Sequence, residues 1–181
     1  MIAPILDDLV YRVAAIAEQN GHIELAAKIF AAVGTVTEHT EDPREANTLN
    51  GIVAKSKIRM ALPGQSIAVD GVTLDGKPFD WMALKGKVVL VDFWASWCGP
   101  CLNEIPSMQE YYQKYHDKGF EIVGYSLDEG EQEHQQRDAI AAQLPWTTVT
   151  TTDPERTGFD SPLAAKLGVE GIPFTMLIGP D

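Results

Sequence analysis

At 181 residues and 45% hydrophobic content, the chain is long enough to bury a core and lacks the composition of a disordered one. Its formal net charge of −12 opposes nonspecific binding to phosphate backbones, which draws on clustered Lys and Arg, so nucleic acid is not an expected partner. No apolar run approaches the ~18–20 residues that cross a bilayer, and the opening MIAPILDDLVYR has no basic stretch followed by a long apolar one, so neither a membrane segment nor a signal peptide is expected.

Residues 1–60 read as a helical segment. Ile5, Leu9, Val13 and Ile16 recur at helical spacing, with Pro4 in a first turn and Asn20-Gly21 as a stop. A second amphipathic stretch runs from Ile23 to Val33 and is expected to end at Gly34. A third begins at DPRE, where Asp42 can cap, Pro43 fits the first turn and Glu45 stands where a capping-box acid would. The segment contains no Cys, and its His22 and His39 lie far apart, so it is read as an appendage that packs on the main domain or on a partner.

ALPGQS, Ala61–Ser66, is the expected linker, and residues 61–181 form the second domain. Short apolar pieces broken by Asp70-Gly71 and Asp75-Gly76 predict a hairpin. KVVLVDFWA follows as a buried strand, then a helix over about 99–117, FEIVGYSL as a second buried strand, and a polar helix over about 131–144. WTTVTT is a third strand, Leu163–Leu167 a short helix and FTMLI a last strand. Strands alternating with helices predict an α/β fold with a mostly parallel sheet covered on both faces. The acids Asp128, Glu129, Glu131 and Glu133 are read as a solvated loop entering a helix, where negative charge is favourable, and not as a cation site.

The chain's two cysteines are Cys98 and Cys101. A bond between them closes so short a loop that it hardly constrains the unfolded chain, so they are no structural staple. Cys98 ends a strand and opens a helix, with Gly99 and Pro100 in the first turn. Unpaired backbone N–H groups and the positive end of the helix dipole stabilise a thiolate there, which makes Cys98 the expected nucleophile. Cys101, one turn deeper on the same face, is the resolving thiol. Resolution requires a base for its proton, and two carboxyls qualify: Asp92, set in an apolar strand, and Glu104, one turn beyond Cys101. With no second CxxC and the four histidines scattered, neither a metal nor a cofactor is expected. Pro173, after Gly171-Ile172 and before a buried strand, is an awkward residue unless it shapes a turn beside a site.

VDFWASWCGPC and GVEGIP together resemble the thioredoxin superfamily, and CGPCLNEIP with the preceding LDGKPFDWMALKGKVVLVDFWA is similar to its TlpA/ResA-type, redoxin-like subgroup. The resemblance covers residue 63 to the end. It implies a thioredoxin-like fold, a central mixed and partly parallel sheet flanked by helices, with an extra βα element near residues 120–150. It also implies that Pro173 is a cis-proline facing the cysteines, that Ile172 offers backbone hydrogen bonds to a partner peptide and that Trp97, Gly99 and Pro100 shape the partner surface. Asp92 matches the buried aspartate of thioredoxins and Glu104 the glutamate of the ResA-like group. Family members are extracytoplasmic in bacteria, commonly tethered or exported, and several act in cytochrome c maturation.

Two departures stand out. The chain ends at LIGPD, where the fold would continue with another strand and a helix, so a truncated sheet is expected. Phe174 follows the proline where a small or hydroxylated residue is usual, which is expected to alter the partner groove. The expected activity is reduction of protein disulfides, with a protein substrate and an upstream thiol donor. The competing readings are a thiol peroxidase, against which Trp-Cys-Gly-Pro-Cys stands, and a partner-binding module with secondary redox activity.

Overall fold

The computed structural model describes residues 13–14, 16–18, 22–37 and 42–180. They fall into two compact units, divided between Gln65 and Ser66, inside the ALPGQS segment.

The first unit is helical. Helix α1 spans Ile23–Thr37 and α2 spans Pro43–Met60. Helix α2 starts as its sequence predicts: the Asp42 carboxylate accepts the Arg44 N–H at 2.8 Å and Pro43 occupies the first turn. The Glu45 side chain lies outside the described residues, as do Pro4, Ile5, Leu9, Asn20, Gly21 and His39. Two expectations are corrected. Helix α1 runs through Gly34 to Thr37, because one glycine weakens a helix without ending it. Val13 and Ile16 do not face the core: they are 46% and 56% exposed, while Ala14 and Ala17 are buried with Ala26, Phe30, Val33, Leu49 and Val53. Small side chains let a helix approach its neighbour closely, so alanines rather than the larger aliphatics occupy that contact. Arg59 closes the unit with a bidentate pair to Glu18, at 2.7 and 3.0 Å.

The second unit is a five-stranded mixed sheet in the order β1-β4-β3-β2-β5. Its strands are β1 (Val72–Thr73), β2 (Val88–Trp94), β3 (Phe120–Ser126), β4 (Thr147–Thr150) and β5 (Phe174–Ile178). Helix α3 (Gly99–Tyr115) links β2 to β3 and α4 (Gly130–Ala141) links β3 to β4, both as crossovers between parallel neighbours. The short α5 (Pro162–Leu167) precedes β5, which returns antiparallel to β2. The expected hairpin shrinks to a turn at Asp75-Gly76, and the two residues of β1 pair with β4. Thr73 N–H reaches Lys77 O there at 2.9 Å.

Alternation along β2 sorts its side chains onto two faces. Leu90, Asp92 and Trp94 share the face covered by α3, where Met108, Ile122 and Trp146 form a core against Leu90, Ile105 and Tyr112. Val91 and Phe93 point to the opposite face, where Phe93 meets Tyr125 at 5.1 Å and Phe174 at 5.8 Å between ring centroids. Strand β5 is a sheet edge on which Leu177 is 67% exposed.

Candidate redox site

The site is built where β2 hands the chain to α3. A turn closed by Cys98 N–H to Ala95 O at 3.0 Å ends the strand segment and delivers Cys98 to the N-cap position of α3. There its Sγ accepts the Cys101 N–H at 3.3 Å, one of the donors that a helix start leaves without an internal partner. Cys98 and Cys101 are bonded as a disulfide with Cα atoms 5.3 Å apart. Both are nearly inaccessible, at 4% and 3%, whereas Trp97 is 51% exposed and Gly99 and Pro100 are also on the surface. The pair packs with Trp94 and Ala95, against Leu102, Ile140, Leu144 and Ile172. An apolar bed thus lies beneath the sulfurs and an aromatic rim beside them.

The Ile172–Pro173 peptide is cis. Phe174, next in line, pairs with Phe93, so the antiparallel return of β5 carries Pro173 to the C-terminal end of β2, where the cysteine turn begins. Ile172 joins the cysteine cluster itself. Phe174 does not line that side of the sheet. Its ring meets Phe93 on the opposite face, because the strand's alternation turns it away from the face bearing Asp92 and Trp94.

Asp92 and Glu104 are brought together but sit in different environments. Asp92 is 5% exposed, and its pKa is pushed up to about 7 by burial first and by the negative charge of Glu104 second. Glu104 is exposed on α3. Along the sheet Asp92 pairs with Gly124 on β3 and Thr175 on β5, neither of which brings a charge. Gly124 leaves room for Trp94: a Cβ there would stand 2.9 Å from the indole nitrogen and 3.3 Å from Thr148 Oγ1. Trp94 Nε1 and Thr148 Oγ1 are buried without a hydrogen-bond partner.

A second buried acid was misread from sequence. Asp128 is 1% exposed, not part of a solvated loop. Its Oδ1 accepts from Ser96 N at 2.8 Å and Ser96 Oγ at 2.5 Å, and its Oδ2 accepts from Ser126 Oγ at 2.8 Å. Glu129 and Glu131 do stay at the helix start, and Glu133 reaches back to the Glu129 N–H at 2.7 Å. The missed signal was alternation: Ile122, Gly124, Ser126 and Asp128 follow one face of β3 and its extension. Among the described residues no cluster of three or more His, Cys, Asp or Glu is placed to hold a metal ion.

Comparison with known proteins agrees with this geometry. The chain is 48% identical over 58 residues to a thiol-disulfide oxidoreductase ResA of Bacillus cereus, covering 32% of this chain and 34% of that protein. It is 31% identical over 108 residues to ResA of Bacillus subtilis, covering 59% of this chain and 55% of the relative. The matches therefore span less than two thirds of these relatives' lengths. Among solved structures, the thioredoxin domain of a thiol-disulfide oxidoreductase from Bacteroides vulgatus superposes with a TM-score of 0.54 at 29% identity, covering 63% of this chain and 78% of that one. The Redoxin family matches residues 59–179, and with its thioredoxin-like fold and its cysteine pair at a helix start the chain belongs to that family, on the ResA-like side of the thioredoxin superfamily.

Proposed function

We propose that the chain is a thiol–disulfide oxidoreductase that reduces disulfides in partner proteins through Cys98 and Cys101. The observation that carries this reading is the placement of the pair: Cys98 caps α3 with Cys101 N–H pointing at its sulfur, and the two cysteines are close enough to be bonded. In the reduced protein that N–H and the helix dipole favour the Cys98 thiolate. The thiolate attacks one sulfur of the partner's disulfide, the partner's other sulfur leaves as a thiolate, and a mixed disulfide forms. Cys101 then gives its proton to the Asp92 carboxylate and attacks Cys98 Sγ, which closes the internal disulfide and releases the partner's second thiol. A carboxyl held near 7 takes a proton and returns it within the physiological range, which supports Asp92 as the shuttle. Exposed Glu104 acts on that shuttle through its charge.

Trp97, Gly99 and Pro100 form the surface the partner meets, and the segment at Ile172 and cis-Pro173 offers its backbone to an extended peptide. The ResA-like resemblance supports an extracytoplasmic setting, a second dithiol protein as electron donor and a place in cytochrome c maturation. Among the described residues no helix is long and apolar enough to cross a membrane. The N-terminal helical segment, residues 1–60, is read as a unit of its own beside the thioredoxin-like domain at residues 61–181.

A reduced Cys101→Ser variant tests the reading directly. Mixed with a disulfide protein such as insulin, it accumulates a covalent adduct on Cys98 that dithiothreitol releases, while the native protein turns over. No adduct together with no insulin reduction would overturn the assignment. Equilibration against glutathione tests the direction: a potential near that of a strong oxidant, about −120 mV, would exclude a reductant.

A further inference from the structure

We propose that Asp128 is a positioning residue for Cys98, acting through Ser96 to hold the turn that presents the nucleophile; this rests on the oxidoreductase reading above. The turn from Ala95 to Cys98 belongs to neither strand nor helix, and two ties bind it to the end of β3. Leu127 N–H donates to Trp94 O at 2.8 Å, the last bond of the β2–β3 ladder, at the entry to the turn. Farther along each chain, the Asp128 carboxylate takes both the backbone N–H and the hydroxyl of Ser96. The other oxygen of that carboxylate is held by Ser126 Oγ, so the acid is oriented before it meets the turn. Ser96 Oγ also lies 3.4 Å from Glu133 O, and His134 Nε2 lies 3.2 Å from Asp128 O, which joins the start of α4 to the same knot.

A carboxylate buried to this degree persists only where donors replace its lost water, and charge-assisted bonds are the strong kind. The use of a backbone N–H as one of those donors is the informative point. That bond fixes main-chain position two residues before Cys98, whereas a bond to a side chain alone leaves the main chain free. With the turn held, Cys98 Sγ stays at the N-cap geometry in which the α3 amides stabilise its thiolate. Without it, the capping distance relaxes and the thiolate loses part of that support. The hydrogen bonds of Asp128 reach neither sulfur, and Ser96 is the residue through which it holds the cysteine turn.

The test compares Asp128→Ala, Asp128→Asn and Ser96→Ala. The Asn oxygen still accepts from Ser96, and its amide donates to Ser126 Oγ, which accepts as readily as it donates. Three quantities are measured: melting temperature, kcat/KM for insulin reduction, and the pH midpoint of Cys98 alkylation in a reduced Cys101→Ser background. Asp128→Ala is expected to raise the alkylation midpoint by about half a pH unit or more and to lower kcat/KM about tenfold or more. Asp128→Asn is expected to restore the midpoint and to keep kcat/KM within about threefold of the native value. Ser96→Ala, which keeps the backbone bond, is expected to shift the midpoint in the same direction by less, and it carries the test if Asp128→Ala does not fold. A native midpoint and kcat/KM in Asp128→Ala with only the melting temperature lowered would overturn the proposal. So would equal damage from Asn and Ala, or, where Ala does not fold, a native midpoint in Ser96→Ala. Failure of the native protein to reduce insulin would instead defeat the oxidoreductase reading, because the alkylation midpoint is read without turnover.

Discussion

The middle of β2 and the C-terminal end of β3 each bury an aspartate on the same face of the sheet, and they treat it in opposite ways. Asp92 has uncharged Gly124 and Thr175 as its strand neighbours and no hydrogen-bond donor among the described residues, so burial pushes its pKa up to about 7. Asp128, more deeply buried still, is met by a backbone N–H and two hydroxyls. Burial by itself therefore does not assign a role to a carboxyl. A buried carboxyl without donors is suited to carrying a proton, and one surrounded by donors is suited to holding its neighbours in place.

The largest break in that contrast is expected from Asp92→Asn. On the proposed mechanism it removes the proton acceptor for Cys101, and insulin reduction near pH 7 is expected to slow on the order of 100-fold, the scale of a lost general base. The same change stabilises the oxidised protein. Because the folded state holds the Asp92 proton up to about 7 while an unfolded Asp releases it near 4, stability from this group is complete below about pH 4 and is lost as pH rises through 7. Denaturation of Asp92→Asn against the native protein should thus show no difference near pH 4 and a gain of about 2–4 kcal/mol at pH 8. A constant difference at both pH values would mean that Asp92 titrates normally.

Asp128→Ala is expected to act with the reverse sign. It strands a buried backbone N–H and two hydroxyls, and chemical denaturation should register a loss of about 1–3 kcal/mol. A stabilised Asp128→Ala would make the two acids alike and dissolve the contrast.

Gly124→Ala sharpens the picture of what surrounds Asp92. The added methyl would press on Trp94 Nε1 at 2.9 Å, and the strand is expected to lose about 1–2 kcal/mol, seen as a lower urea midpoint with unchanged m-value. The smallest expected effect comes from Glu104→Gln. Removing that exposed charge lets the Asp92 pKa fall by a few tenths of a unit, with burial still holding it up. A titration of the Asp92 carboxyl by NMR would show the shift, and a fall to an ordinary Asp value would make Glu104, not burial, its main cause.

Much of the redox centre was legible locally. Strand, turn, CGPC and helix follow one another within residues 88–115, so hydrophobic run, cap position and dipole argument all rest on neighbours in sequence. The Asp42 cap and Pro43 start of α2 were equally local. Side-chain direction was harder. Val13 and Ile16 made a plausible apolar stripe, yet Ala14 and Ala17 take the buried positions, since spacing defines a stripe but only a neighbouring helix decides which stripe is covered. Phe174 was expected to alter the partner groove, and its ring packs against Phe93 on the other face of the sheet. Asp128 looked solvated because acids follow strands into loops so often, and two of the three donors that meet its carboxylate come from Ser96, 32 positions away.

By itself, then, the sequence determined where the cysteines sit on a strand-to-helix junction, which of them caps the helix and which lies a turn behind, because those relations span only a few bonds. The tertiary structure alone decided that β5 returns antiparallel to carry Pro173 to that junction, and that Glu104 acts on Asp92 from a neighbouring helix. It also decided that Asp128 grips the cysteine turn. These depend on which donors and charges the fold brings within hydrogen-bond or Coulomb range, and at separations of tens of residues the pattern of residue types carries no distance.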